Sequence, residues 1–170
     1  AIEENVEKTK ELVALAHAQG ASIEAEVGAI GGEEDGVIGA GEVADPAECA
    51  QIAGLGVDFL AAGIGNIHGV YPANWKGLDF DALQRIHEAT NHIPLVLHGG
   101  SGAGEENIRK AVACGINKIN VNTDVMAHAV AETGRALKEN PEYGYMDLCM
   151  RCEDAMKDFI ESYMRMIGSS

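Results

Sequence analysis

Pro94-Leu95-Val96-Leu97-His98-Gly99-Gly100-Ser101-Gly102 is the stretch on which the fold turns. The apolar run opened by Pro94 reads as a short buried strand. It stops at a histidine. Three glycines and a serine follow, and a helical pattern begins near Glu105. An imidazole at a strand's end, beside a glycine turn that exposes backbone N–H groups, is how an α/β protein builds a metal and phosphate site. A second copy lies upstream, where Val57-Asp58-Phe59-Leu60-Ala61-Ala62 runs into Gly63-Ile64-Gly65-Asn66-Ile67-His68-Gly69. Two histidines at two strand ends would face one another across one rim.

Outward from these runs the chain alternates. Helices are expected over 3–19, 45–53, 79–90, 105–113, 124–138 and 145–167, and strands over 22–27, 57–62, 94–97 and 116–121. Asp45-Pro46 and Asp79 supply helix starts. The stretch from Gly28 to about Ala44 is polar and glycine-rich and reads as a loop. Strands spaced by helices of this length mean parallel βα units with right-handed crossovers. Four such units are half of a (β/α)8 barrel. The opening helix has no strand before it and the first residue is not Met, so the chain is expected to continue upstream. Residues 1–170 would then be the C-terminal half of a single barrel domain, strands five to eight plus C-terminal helices.

Bulk properties exclude some partners. The chain has 170 residues and a net charge of −15, from 27 acids against 12 bases. That argues against nucleic acid and against anionic membrane surfaces. No apolar run approaches the ~20 residues of a membrane span, and no signal peptide is expected from the opening residues. The cysteines are Cys49, Cys114, Cys149 and Cys152. The last two form C-x-x-C within an expected helix, and free thiols in a reducing cytoplasm are the reading adopted for all four.

The first strand is unusual. In Ile23-Glu24-Ala25-Glu26-Val27, period two puts Glu24 and Glu26 on one face and the apolar residues on the other. If the apolar set meets the helix layer, both glutamates point into the barrel. An unpaired carboxylate there is costly, so a metal or an interior Lys or Arg is expected beside them. Gly31-Gly32-Glu33-Glu34-Asp35-Gly36 follows, with the composition of a solvated turn or of a mobile loop bearing an acid/base glutamate. The fourth strand runs into Asn120-Val121-Asn122-Thr123-Asp124. Those side chains suit either helix capping or hydrogen bonds to a phosphate.

Taken together, the runs EAEVGAIGGEEDG (24–36), GVDFLAAGIGNIHGVY (56–71), LDFDALQRI (78–86), IPLVLHGGSG (93–102) and GINKINVNTD (115–124) resemble those of the class II, metal-dependent ketose-bisphosphate aldolases. That family includes fructose- and tagatose-bisphosphate aldolases. The resemblance implies roles. His68 and His98 match two of three histidines that hold a catalytic zinc, and Glu26 matches a glutamate near that ion. Glu34 matches a mobile-loop glutamate that moves protons at the substrate carbon. Gly69, Gly99, Ser101, Asn120, Asn122 and Thr123 match a cradle for the dihydroxyacetone-phosphate end, whose loop carbonyls hold a monovalent cation, Na⁺ or K⁺. Asn122 departs from relatives that have an aspartate there. Arg151 stands near the place of an arginine for the distal phosphate, although Met150-Arg151-Cys152 does not align cleanly with it. The third zinc histidine and a proton-donating aspartate belong to an Asp-His motif that this sequence lacks.

The expectation is a zinc-dependent, cytoplasmic, homo-oligomeric lyase, dimer or tetramer, acting on a phosphosugar, with the 170-residue chain inactive by itself. The alternatives are another phosphosugar barrel lyase or isomerase, which would not need both His68 and His98, and a non-catalytic half-barrel that binds phosphate.

Overall fold

A computed structural model of the chain describes residues 2–34, 37–39 and 41–169, with the side chains of residues 33–40 excluded. The described residues form two compact units, 1–120 and 121–170.

The first unit opens with α1 (Ile2–Ala18). Four parallel strands follow, each led in by a helix: β1 (Glu24–Val27), β4 (Phe59–Ala62), β6 (Leu95–Leu97) and β7 (Ile116–Ile119). They lie side by side in the order β1-β4-β6-β7, and every pairing is parallel. The helices between them are α2 (Pro46–Ala53), α3 (Phe80–Ala89) and α4 (Glu105–Ala113). Sequence order equals spatial order, as in the singly wound sheet of a (β/α)8 barrel and unlike a doubly wound sheet. This is an arc of a (β/α)8 barrel.

The helix starts follow from their caps. Asp45 Oδ1 accepts from the backbone N–H groups of Ala47 and Glu48, with Pro46 in the first turn. Asp79 Oδ1 accepts from Ala82 N. Each cap satisfies donors that the first helical turn leaves unpaired.

Register decides what faces inward. Glu26, Ala61, Val96 and Lys118 are successive cross-strand partners, so they form one row on one face. Two residues further along, on the same face, come His98 and Asn120. The opposite face carries Val27, Leu60, Ala62, Leu95 and Leu97, all buried. There α2 packs on β1 and β4, and α4 on β7. Ile52, Leu83, Ile86, Ile108 and Ala111 complete this helix-side core. The alternation in β1 thus sorts glutamates from apolar residues as its period predicts.

The stretch from Gly28 to Ala44 differs from the loop expected of it. It holds β2 (Gly31–Glu34) and β3 (Val37–Gly39), paired antiparallel. β2 also pairs in parallel with β5, only Ile67–His68. A backbone bridge joins Ala29 and Glu42 just outside this hairpin. Glycine makes the pairing possible. Gly32 has φ +97°, and a Cβ there would stand 2.0 Å from the carbonyl oxygen of His68.

Two polar features carry consequences for stability and reactivity. Asp58 Oδ2 accepts from Ile23 N at 2.8 Å and contacts His17 Nε2 at 3.0 Å, tying α1 to the start of β1. The His17 bond, then the Ile23 N–H, hold the Asp58 carboxyl below the usual carboxylate range. A depressed acid contributes stability above its unfolded pKa, near 3.9. That stability is lost as pH falls further. The Cys49 thiol is fully buried, and burial, with the Asp45 and Glu48 charges behind it, pushes its pKa up to about 12. Because only the thiolate reacts, iodoacetamide at pH 8 is expected to leave Cys49 unmodified in the folded chain while labelling exposed Cys149. Mass spectrometry reads the two sites. Equal labelling before denaturation would contradict the buried placement.

The second unit is an antiparallel pair, α5 (Thr123–Glu139) and α6 (Tyr145–Ile167). His128 stacks on Phe159, and Thr133 Oγ1 lies 3.2 Å from Cys152 Sγ. No helix among the described residues is long and apolar enough to cross a membrane.

Candidate metal centre

His68 and His98 come together. His68 lies on β5 and His98 immediately follows β6, and the structure sets His68 Nε2 3.3 Å from His98 Nδ1. Their rings meet edge to face with centroids 5.4 Å apart.

The close approach depends on the loops. Gly99 has φ +66°, and a Cβ there would stand 2.1 Å from the Ile67 carbonyl oxygen. Gly32 presses on His68 from the other side, so β5 is held between two glycines. Tyr71 adds a polar tie, since its hydroxyl donates to Gly99 O at 2.7 Å and accepts from Ile67 N at 3.1 Å. Buried Asn66 adds another, its Oδ1 accepting from Ile64 N and its Nδ2 donating to His98 O at 3.0 Å. Gly99→Ala is therefore expected to push the two histidine loops apart. Strain of this kind costs on the order of 1–3 kcal/mol. A lower denaturation midpoint with weaker metal binding would show it; wild-type values for both would contradict the role given to Gly99.

Glu24 orients His98. Its Oε1 lies 2.9 Å from His98 Nε2, and its Oε2 accepts from Lys118 Nζ at 2.9 Å. Burial alone would raise the Glu24 pKa, but the bonds from Lys118 and His98 outweigh it and hold the carboxyl below its ordinary value. A carboxylate only accepts, so the Nε2 of His98 carries the proton. In the neutral imidazole Nδ1 is then the bare nitrogen, and it is the one that faces His68.

This donor set fits a metal ion. Two nitrogens bound to one tetrahedral zinc at about 2.0–2.1 Å each stand roughly 3.3–3.4 Å apart. His68 Nε2 and His98 Nδ1 already have that separation. A carboxylate behind a ligating histidine is the usual support that fixes its tautomer. Among the described residues no group of three or more His, Cys, Asp or Glu side chains could hold an ion. A full ligand set therefore needs a further donor.

The family model for class II fructose-bisphosphate aldolases matches residues 1–170. The chain belongs to that family. It is 47% identical to the fructose-bisphosphate aldolase of Mycoplasma pneumoniae over 99% of its own length and 60% of the relative's. It is 52% identical to that of Streptococcus pneumoniae over 82% of its length and 48% of the relative's. Among solved structures, a Coccidioides immitis protein assigned as a fructose-1,6-bisphosphate aldolase superposes with a TM-score of 0.88 at 35% identity, covering 99% of this chain and 60% of that one. The YdjI aldolase of Escherichia coli gives 0.80 at 31%, covering 57% of that chain. The chain thus spans about half to three-fifths of the length of these aldolases, and its arc of parallel strands is the C-terminal part of the family's barrel.

The other residues that the aldolase resemblance singles out are variously placed. Glu26 is exposed on β1, in the inward row. Gly69, at φ +84°, has open space where a side chain would stand. Ser101 is buried in the turn after Gly99. Asn120 closes the sheet end, its backbone N–H donating to Leu97 O and its carbonyl accepting from Gly100 N. The backbone of Glu34 ends β2, two residues past the partner of His68, while its side chain lies outside the described residues. Asn122 and Thr123 open α5 in the second unit, where Asn122 occupies the N-cap position without a side-chain capping bond. Arg151 is engaged within that unit. Its guanidinium pairs with Glu132 at 2.6 Å and Glu139 at 2.7 Å and donates to the Tyr143 hydroxyl.

Sequence reasoning missed Asn66, Tyr71 and Lys118, and it noted Glu24 without assigning it a task. Asn66 and Tyr71 lie inside the GNIHGVY run, so their nearness to His68 was readable. Lys118 was not marked, because its partners lie on other strands.

Proposed function

We propose that the polypeptide carrying these residues is a zinc-dependent class II aldolase. It would cleave a ketose 1,6-bisphosphate, of fructose or tagatose type, to dihydroxyacetone phosphate and an aldehyde, and join them in reverse. The observation that carries this reading is the 3.3 Å approach of His68 Nε2 and His98 Nδ1, with Glu24 Oε1 2.9 Å from the other nitrogen of the His98 ring. Four free cysteines suit a cytoplasmic setting. Homo-oligomers and a monovalent cation at the glycine loops belong to the same reading.

In this reading His68 and His98 hold the ion, and Glu26 stands near it. Zinc, when bound, supplies a Lewis acid for a ketone oxygen on which negative charge develops. Gly69, Gly99, Ser101 and Asn120 bind the near phosphate and so fix the reacting carbons. Cleavage removes a proton from the hydroxyl on the leaving side, breaks the carbon–carbon bond and returns a proton to the carbon left on dihydroxyacetone phosphate. Glu34 acts at that carbon. The third histidine ligand and the acid that serves the leaving side come from a segment outside these 170 residues.

The test is cleavage of fructose and tagatose 1,6-bisphosphates by the whole polypeptide, before and after chelation. Activity that disappears with chelator and returns with zinc is expected. Cleavage of neither sugar, or cleavage indifferent to chelation, overturns the proposal. Residues 1–170 alone are expected to be inactive and to self-associate, because among the described residues β1 and β7 are the open edges of the four-stranded sheet.

A further inference from the structure

His68 and His98 are carried by different sheets. β5 pairs with β2, in the order β3-β2-β5, whereas β6 belongs to the four-stranded sheet. Among the described residues no ladder of backbone hydrogen bonds joins β5 to β6. Strand register therefore does not set the distance between the two imidazoles. Contacts outside the sheets have to hold the ends of β5 and β6 together.

One oxygen atom bridges them. The Tyr71 hydroxyl accepts from Ile67 N at 3.1 Å and donates to Gly99 O at 2.7 Å. Ile67 immediately precedes His68, and Gly99 immediately follows His98. The bridge thus grips the backbone one residue from each histidine. A backbone N–H only donates and a carbonyl only accepts, and a hydroxyl can satisfy both at once. The ring that carries this hydroxyl is firmly seated. Trp75 meets it edge to face with centroids 4.2 Å apart, and a Cβ at Gly102 would stand 3.4 Å from Tyr71 Cδ2. Trp75 is fixed in turn, its Nε1 donating to Gly65 O at 2.7 Å and its backbone N–H to Pro72 O at 2.9 Å. The Asn66 amide ties the same loop to His98 O alongside this bridge.

We propose that Tyr71 is a positioning residue, which through Ile67 and Gly99 holds His68 and His98 at the separation one metal ion needs, with Trp75 seating its ring. Tyr71 touches neither metal nor sugar in this scheme. The ion rests on the aldolase reading; the bridge itself does not. Without the hydroxyl, Ile67 N–H and Gly99 C=O lose their shared partner, and β5 can draw away from the end of β6. The ion would then have to gather its two histidines as it binds, and its affinity would bear that cost.

The experiment compares wild type with Y71F and W75F in the whole polypeptide. Y71F deletes the bridging oxygen and keeps the ring. Its zinc affinity, measured by competition with a chelator, should fall by about 10–100-fold, the worth of a lost hydrogen bond and of the two groups it leaves unpaired. At saturating zinc kcat should fall far less than affinity, because no ligand and no reacting group has been removed. A crystal structure of metal-free Y71F should show His68 Nε2 and His98 Nδ1 farther apart than the present 3.3 Å. Y71F with the wild-type separation and affinity overturns the proposal. So does a kcat that falls as far as the affinity even at saturating zinc, which would place the hydroxyl among the reacting groups. If circular dichroism finds Y71F unfolded, W75F carries the test. It keeps the hydroxyl and loosens its seat, so zinc affinity should fall by about 3–10-fold, the net worth of one hydrogen bond, and an unchanged affinity overturns the proposal. The separation in the metal-free protein needs neither zinc nor sugar. A wild type that binds no zinc, with the histidines drawn apart in Y71F, would therefore sink the aldolase reading and leave the bridge standing.

Discussion

His98→Ala is expected to abolish zinc binding and to lower kcat/KM by about 10³-fold or more. The ion is asked for several kcal/mol of charge stabilisation in the transition state. Each 1.4 kcal/mol is a factor of ten in rate. His98 is also the residue on which the other parts of the site converge, through Glu24, Asn66 and Asn120. The fold should survive, because β6 keeps its three buried residues Leu95, Val96 and Leu97. Zinc content by plasma mass spectrometry and steady-state cleavage kinetics decide the matter. A variant that retains one zinc and more than a tenth of wild-type kcat/KM would remove His98 from the centre.

Glu34→Gln is expected to behave in the opposite way with respect to the metal. Turnover should fall by about 10²–10⁴-fold, the usual worth of a positioned proton carrier. Zinc content should stay at the wild-type level, because Glu34 is assigned to the substrate carbon and not to the ion. Its backbone ends the strand that pairs with β5, two residues past the partner of His68. Loss of zinc together with turnover, or unchanged turnover, would contradict the assignment.

Glu105–Ala113 and Tyr145–Ile167 form the helices that the 3.6-residue pattern predicts. Asp45 and Asp79 cap α2 and α3 because their side chains reach nearby N–H groups, a local effect that needs no partner from elsewhere. The four long strands were placed within two residues at each end. β5 could not be found, since two residues carry no period, and Ile67–His68 is a strand only because Gly32 and Gly99 let neighbouring backbones approach. β2 and β3 were hidden for a related reason. Their sequence is glycine and acid, without the apolar alternation that marks a half-buried strand.

The site shows the same division. Alternation in β1 placed Glu24 and Glu26 on the inner face and required a partner for a buried carboxylate. It did not name Lys118, which is 94 residues away and reaches Glu24 only through the β6–β7 register. Arg151 shows the same division within the helical pair. The antiparallel packing of α5 and α6 places Glu132 and Glu139 against its guanidinium. Those pairings depend on how two helices meet, which no local pattern specifies.

The claim that His68 and His98 share one ion is tested most directly by X-ray absorption at the zinc edge of the metal-loaded whole polypeptide, compared with H68A and H98A. The account predicts imidazole nitrogens at about 2.0–2.1 Å in the wild type. It also predicts one fewer imidazole scatterer in each variant that still retains zinc, or no zinc at all. An unchanged zinc environment in both variants would show that the ion sits elsewhere.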